Sequence, residues 1–131
     1  MLVAYRDFGW GGVRPYLVLQ VTGPNGRSGL IPGLLDSGAD NTVLPAGYAP
    51  LMGYAGGDLV TSQGTQVGGS VTLRNATTPS RAYVPEMPNV VFPILPCFVH
   101  GCQNALWGRS DLMQQFDVTI MDRRQQFALT R

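Results

Sequence analysis

The acid–base potential of this chain is concentrated in one short run, Leu34-Leu35-Asp36-Ser37-Gly38-Ala39. A carboxylate follows directly on an apolar pair, and a small hydroxyl residue, a glycine and an alanine come after it. Small residues let neighbouring backbone approach closely, so Asp36 can be set in a tight, partly buried turn. A carboxylate held in that way is a candidate general acid or base. The plainer use of the same residues is an Asp-Ser-Gly surface turn. A second run, Ala105-Leu106-Trp107-Gly108-Arg109-Ser110-Asp111-Leu112, again places an apolar pair ahead of a glycine and a charged residue.

The first run continues as Asp40-Asn41-Thr42-Val43-Leu44-Pro45. Taken in order and at their spacing, the two runs resemble those of the retropepsin-like (retroviral-type) aspartic proteases. That family carries an apolar pair, Asp-Thr/Ser-Gly-Ala and a short β segment, and later an apolar pair with Gly-Arg leading into a helix. The likeness extends from Tyr16 to Phe116. It implies an all-β, retropepsin-like acid protease fold, with one lobe per chain, a single short C-terminal helix and a C2 homodimer. The implied activity is that of an aspartic endopeptidase, in which two carboxylates share one proton because like charges so close do not both ionise readily. No second Asp-Ser/Thr-Gly occurs in the 131 residues, so the second Asp36 must come from another copy of the chain.

The resemblance also assigns roles. Asp36 is the catalytic carboxylate. Ser37 braces the two active-site loops across the dimer, keeping the hydroxyl of the commoner Thr without its methyl. Gly38 contacts substrate backbone and Ala39 supports the loop. Asp40 lies near substrate and pairs with Arg109, an arrangement expected to be bidentate; an ordinary surface pair is the alternative. Gln66, Val67, Gly68 and Gly69 fall where the family's substrate-covering flap is found, and a plain solvent hairpin fits the same residues. The alternative function is a non-catalytic dimerisation or peptide-binding module of the same fold. The expected partners are a second copy and a peptide or protein substrate.

Other signals are weaker. Cys97, His100 and Cys102 lie within six residues, but this is the only His and the spacing is not that of a zinc finger or ribbon. Reduced core cysteines or a local disulfide are the expectation, and neither metal nor cofactor is expected. Asp7-Phe8-Gly9 mimics a kinase triplet without the loops that give it meaning. Trp10 and Trp107 read as core or interface aromatics.

The elements that must position Asp36 are short strands. Gly and Pro number 17 and 10, about a fifth of the chain against a usual ~12%. Arg14–Val21 and Leu30–Leu35 read as a hairpin around Gly23-Pro24-Asn25-Gly26, ending at Asp36. Further strands are expected at 41–45, 59–61, 70–74, 82–84 and, fully buried, at 90–95. A flexible polar turn is expected over Ser62–Gly69 and a loop over Pro45–Gly57. The single helix is expected from an N-cap at Ser110, with Leu112, Met113 and Phe116 facing inward. Residues 117–121 and 126–130 form a closing hairpin, which could replace the intertwined terminal strands of viral dimers. Residues 1–131 are expected to be one domain.

Charged residues make up 13% of the chain and the net charge is +1. Soluble domains usually carry about twice that charged fraction, which suggests that part of the surface is covered by another subunit. A near-neutral chain gives no electrostatic case for nucleic acid or an anionic membrane. The apolar run 90–99 is cut by Pro93 and Pro96 and is too short for a membrane span. The first residues lack the pattern of a signal peptide, so a cytoplasmic protein is expected. A free-standing chain and a domain excised from a larger precursor both remain open.

Overall fold

A computed structural model describes the backbone of residues 1–131 and every side chain except that of Gln66. The strands in chain order begin with β1 (Leu2–Ala4), β2 (Tyr16–Thr22), β3 (Ser28–Leu35) and β4 (Val43–Pro45), followed by a helix, α1 (Tyr48–Met52). Then come β5 (Leu59–Gln66), β6 (Gly69–Ala76), β7 (Ser80–Tyr83), β8 (Phe92–Ile94), β9 (Cys97–Val99) and β10 (Ala105–Trp107). β11 (Asp117–Met121) and β12 (Gln126–Thr130) close the chain. They form a three-stranded sheet, ordered β1-β12-β11, and a nine-stranded sheet, ordered β5-β6-β9-β4-β10-β3-β2-β7-β8. The all-β architecture expected from the sequence is the one observed.

The β2–β3 hairpin forms because Leu17, Leu19 and Val21 alternate with half-buried residues, and Gly23–Arg27 turns the chain. Asn25 in that turn bonds the Leu51 carbonyl at 3.2 Å, which seats the turn on α1. β3 then runs inward beside β10 in parallel, with Gly33 opposite Ala105 and Leu35 opposite Trp107. Gly33 is required here because a Cβ would collide with the Trp107 indole. That indole is fully buried and donates to the Leu17 carbonyl at 2.8 Å. β4 lies between β9 and β10. Leu19, Leu44, Phe92, Phe98, Trp107 and Phe127 form the centre of the core, each with almost no exposure.

Several local expectations change. The helix expected from Ser110 is a single 3-10 turn, Leu112–Gln114. Leu112 and Phe116 do face inward, but β11 starts at Asp117 and leaves room for one turn only. The segment read as a loop over Pro45–Gly57 holds α1, five residues closed at Gly53. The expected polar turn over Ser62–Gly69 is mostly ladder: β5 pairs with β6 out to Gln66 and Gly69, leaving Val67 and Gly68 as the turn. The strand expected at 90–95 narrows to Phe92–Ile94, with Phe92 and Ile94 buried and Pro93 and Leu95 exposed. Leu30, the first residue of the apolar strand expected at 30–35, is 60% exposed.

The closing hairpin forms as expected, around a 3-10 turn at Asp122–Arg124. Its other side is taken by β1 of the same chain, Val3 facing Phe127. The Met1 ammonium donates to the Leu129 carbonyl at 2.7 Å, and the Leu129 N–H returns a bond to the Met1 carbonyl.

Candidate active site

Asp36 is the first residue beyond β3, and two sets of backbone bonds fix the loop it opens. The Asp36 N–H donates to the Trp107 carbonyl at 3.1 Å, tying the loop to the end of β10. The Ala39 N–H donates back to the Asp36 carbonyl at 3.2 Å, closing a turn over Asp36–Ala39. The Gly38 N–H donates to Asp36 Oδ1 at 2.9 Å, so one carboxylate oxygen is oriented by its own loop. Asp36 is half-buried, while Ser37 and Gly38 are exposed beside it.

The second sequence run clamps the first. Arg109 and Ser110 donate their N–H groups to the carbonyls of Ala39 and Asp40, at 3.0 and 2.8 Å. Gly108 lies so close beneath that a Cβ there would strike the carbonyls of Ala39 and Asn41. The Arg109 guanidinium donates through Nη2 to Asp40 Oδ1. This is a single contact in place of the bidentate pair expected, because both side chains are open to solvent, at 59% and 75% exposure. Its Coulomb energy is therefore small.

Asp111 is the residue that sequence reasoning missed. Its Oδ2 accepts from the fully buried Thr42 hydroxyl at 2.6 Å and from the Leu95 N–H at 3.1 Å. One carboxylate thus joins the strand after the active-site loop to the end of β8. It also explains the short turn at Leu112, because Asp111 takes the N-cap position but spends its carboxylate elsewhere. The one available signal was an acid directly after Gly-Arg-Ser, which reads equally well as a helix start.

A cavity of about 770 Å³ opens in front of Asp36. Gly38, Ala39 and Asp40 form one wall, and Gly64, Thr65, Val67, Val71 and Leu73 of the β5–β6 hairpin form the facing one. Among the flap residues expected from sequence, Val67 lies on the cavity. Gly68 and Gly69 lie in the hairpin end, both with positive φ, and the side chain of Gln66 is outside the described residues. Val43, Val99 and Leu106 make the floor apolar. Cys97, His100 and Cys102 also face the cavity, and both cysteines are free thiols. Burial pushes both thiols above the ordinary cysteine range, and the Cys102 thiol donates to the Asn104 carbonyl at 2.8 Å. They are protonated wall residues, not nucleophiles.

Comparison with known proteins agrees with this architecture. The family model described as retroviral aspartyl protease matches residues 12–121. Among solved structures, the chain is similar to a retropepsin-like aspartic protease from Rickettsia conorii, with a TM-score of 0.65 and 16% identity over 98% of this chain and 88% of that one. No curated protein matches it. With its fold, its Asp36 loop and a family match across most of its length, the chain belongs to the retroviral-type, retropepsin-like family of aspartic proteases.

Proposed function

We propose that the chain is an aspartic endopeptidase that works as a homodimer in the cytoplasm, hydrolysing peptide bonds with Asp36 of each copy. The observation that carries this reading is the half-buried Asp36 carboxylate, oriented by the Gly38 N–H at the mouth of the cavity under the β5–β6 hairpin. The chain offers only one such loop, and dyad chemistry needs two carboxylates. With one proton between the pair, the ionised Asp36 takes a proton from water as the water oxygen attacks the scissile carbonyl carbon. The partner's Asp36, neutral, donates to the carbonyl oxygen. The tetrahedral diol then breaks its C–N bond as a proton passes to the departing amine.

The remaining roles in this reading are those that the family resemblance assigns. Exposed Ser37 offers its hydroxyl to the partner loop. Gly38 presents backbone to an extended substrate. Asp40, held by Arg109, borders the same cavity, and the hairpin ending in Val67 and Gly68 covers the bound peptide. The apolar floor favours apolar side chains next to the scissile bond.

Asp36→Asn tests the reading. The isosteric amide keeps the Gly38 bond but cannot share a proton in the dyad, so peptide cleavage should fall by about a thousandfold or more while circular dichroism stays unchanged. Undiminished cleavage by the purified variant overturns the proposal. Specific activity should also drop on dilution as copies separate, and a fully active monomer would be equally damaging.

A further inference from the structure

Strand register fixes a row of side chains along the floor of the cavity in front of Asp36. Leu106 of β10 is paired with Val43 of β4, and Val43 with Cys97 of β9. Directly paired residues share a face of the sheet, and all three line the cavity. The other face of these strands is the core, where Leu44, Phe98, Ala105 and Trp107 are buried. Burial deepens along the row: Leu106 and Val43 are half-buried, whereas Cys97 is 2% exposed. Beyond Cys97 the paired residue is Asn75 of β6, whose side-chain amide is committed to the Val60 carbonyl at 3.0 Å and the Ser62 hydroxyl at 2.8 Å. The row is therefore a slope. Its open end lies on β10, the neighbour of β3, and its closed end is the thiol on β9, two strands further from Asp36.

Val71 and Leu73 of β6 also line the cavity. Leu73 is seated against Gly64, where a Cβ would lie 2.9 Å from its Cδ1, so this wall is packed on the hairpin itself. The three floor residues carry no charge, since burial pushes the Cys97 thiol above the ordinary cysteine range. Cys97 is also the smallest of the three, so it is the residue that leaves depth at the closed end. A side chain branched at Cβ is wide at its base and ends over Leu106, whereas a straight four-carbon chain continues across Val43 to the thiol. We infer that this row is the subsite for one substrate side chain, that Cys97 sets its depth, and that the side chain it takes is long, apolar and unbranched, as in methionine or norleucine. The inference deepens the endopeptidase reading and rests on it for placing the peptide over Asp36. The preference itself is one of binding and needs no bond to be cut.

The probes are fluorescein-labelled hexapeptides whose central peptide bond is replaced by a non-hydrolysable –CH2–NH– link. Valine or norleucine is placed in turn at each of the two positions on either side of that link, and binding to full-length wild-type protein is followed by anisotropy. At one position norleucine should bind about fourfold more tightly than valine, the effect of burying one further methylene. Cys97→Leu fills the closed end and should reverse that order. Cys97→Ala deepens it, and should favour a side chain one methylene longer than norleucine by about fourfold. Cys97→Ala keeps the test decisive if Cys97→Leu fails to fold by circular dichroism. A norleucine peptide no tighter than its valine counterpart at every position overturns the inference. So does an order of preference that neither variant changes, or failure of every peptide to saturate at millimolar concentration. The same sequences with an ordinary central bond, incubated with wild-type protein and read by mass spectrometry, test the endopeptidase reading separately. The norleucine preference without cleavage would overturn that reading and leave the subsite standing.

Discussion

The Asp36 loop and the β5–β6 hairpin face each other across one cavity, yet they are held in opposite ways. The loop is tied to the Trp107–Ser110 segment by three backbone bonds, and a buried threonine fixes the strand that follows it. The hairpin is bonded mainly to itself: β6 meets its neighbour β9 only at Arg74 and Asn75, and Val67 at its end is fully exposed. Local opening costs most where backbone bonds and burial are dense and least where they are sparse. A reacting carboxylate gains from a fixed position, whereas a cover must admit and release a chain. Under the proposed function, the contrast separates the part that holds the reacting carboxylate from the part that would open to admit a chain.

The sharpest way to break the contrast is to loosen the fixed side. Gly108→Ala puts a methyl against two backbone carbonyls that have little room to yield, and should cost about 3 kcal/mol. Thermal unfolding should show a Tm lower by roughly 10 °C, together with loss of cleavage. A Tm unchanged within error would mean that the loop is not clamped there. Asp111→Ala comes next. It leaves the buried Thr42 hydroxyl without its acceptor and should cost about 2 kcal/mol. Adding Thr42→Val should recover part of that loss, so the two changes should be non-additive in denaturant titrations. On the movable side, Gly68→Ala adds a Cβ at φ 99° with open space around it. The strain of about 1 kcal/mol falls on the end of the hairpin. Cleavage should fall several-fold while Tm shifts by no more than about 4 °C. An effect on stability as large as that of Gly108→Ala would erase the distinction between the two regions.

Asp36 was legible because its neighbours are local: an apolar strand before it and small residues after it are written consecutively. The Gly108-Arg109 run was legible as a pattern, but its clamping of Ala39 and Asp40 depends on β3 and β10 lying side by side in parallel. β1, β9 and β10 have three residues each, too few for a period to show. The segment Tyr48–Met52 resisted reading because Pro50 lies inside it and Gly47 and Gly53 flank it, all of which read as loop. Ser110 and Asp111 gave the reverse error. Both are good helix-starting residues, yet the Ser110 N–H goes to Asp40 and the Asp111 carboxylate to Thr42 and Leu95. Those partners are distant in sequence, and such competition is settled only by tertiary contact.

The bond between the Asp36 N–H and the Trp107 carbonyl also sets a schedule. Its two ends are separated by more than half of the chain, and synthesis proceeds at only about 5–20 residues per second. For several seconds after Asp36 leaves the ribosome, the residues that shape its loop do not yet exist. Under the proposed function, a nascent chain cannot cleave a peptide until residues 107–110 arrive, because only then is the Asp36 carboxylate set in place.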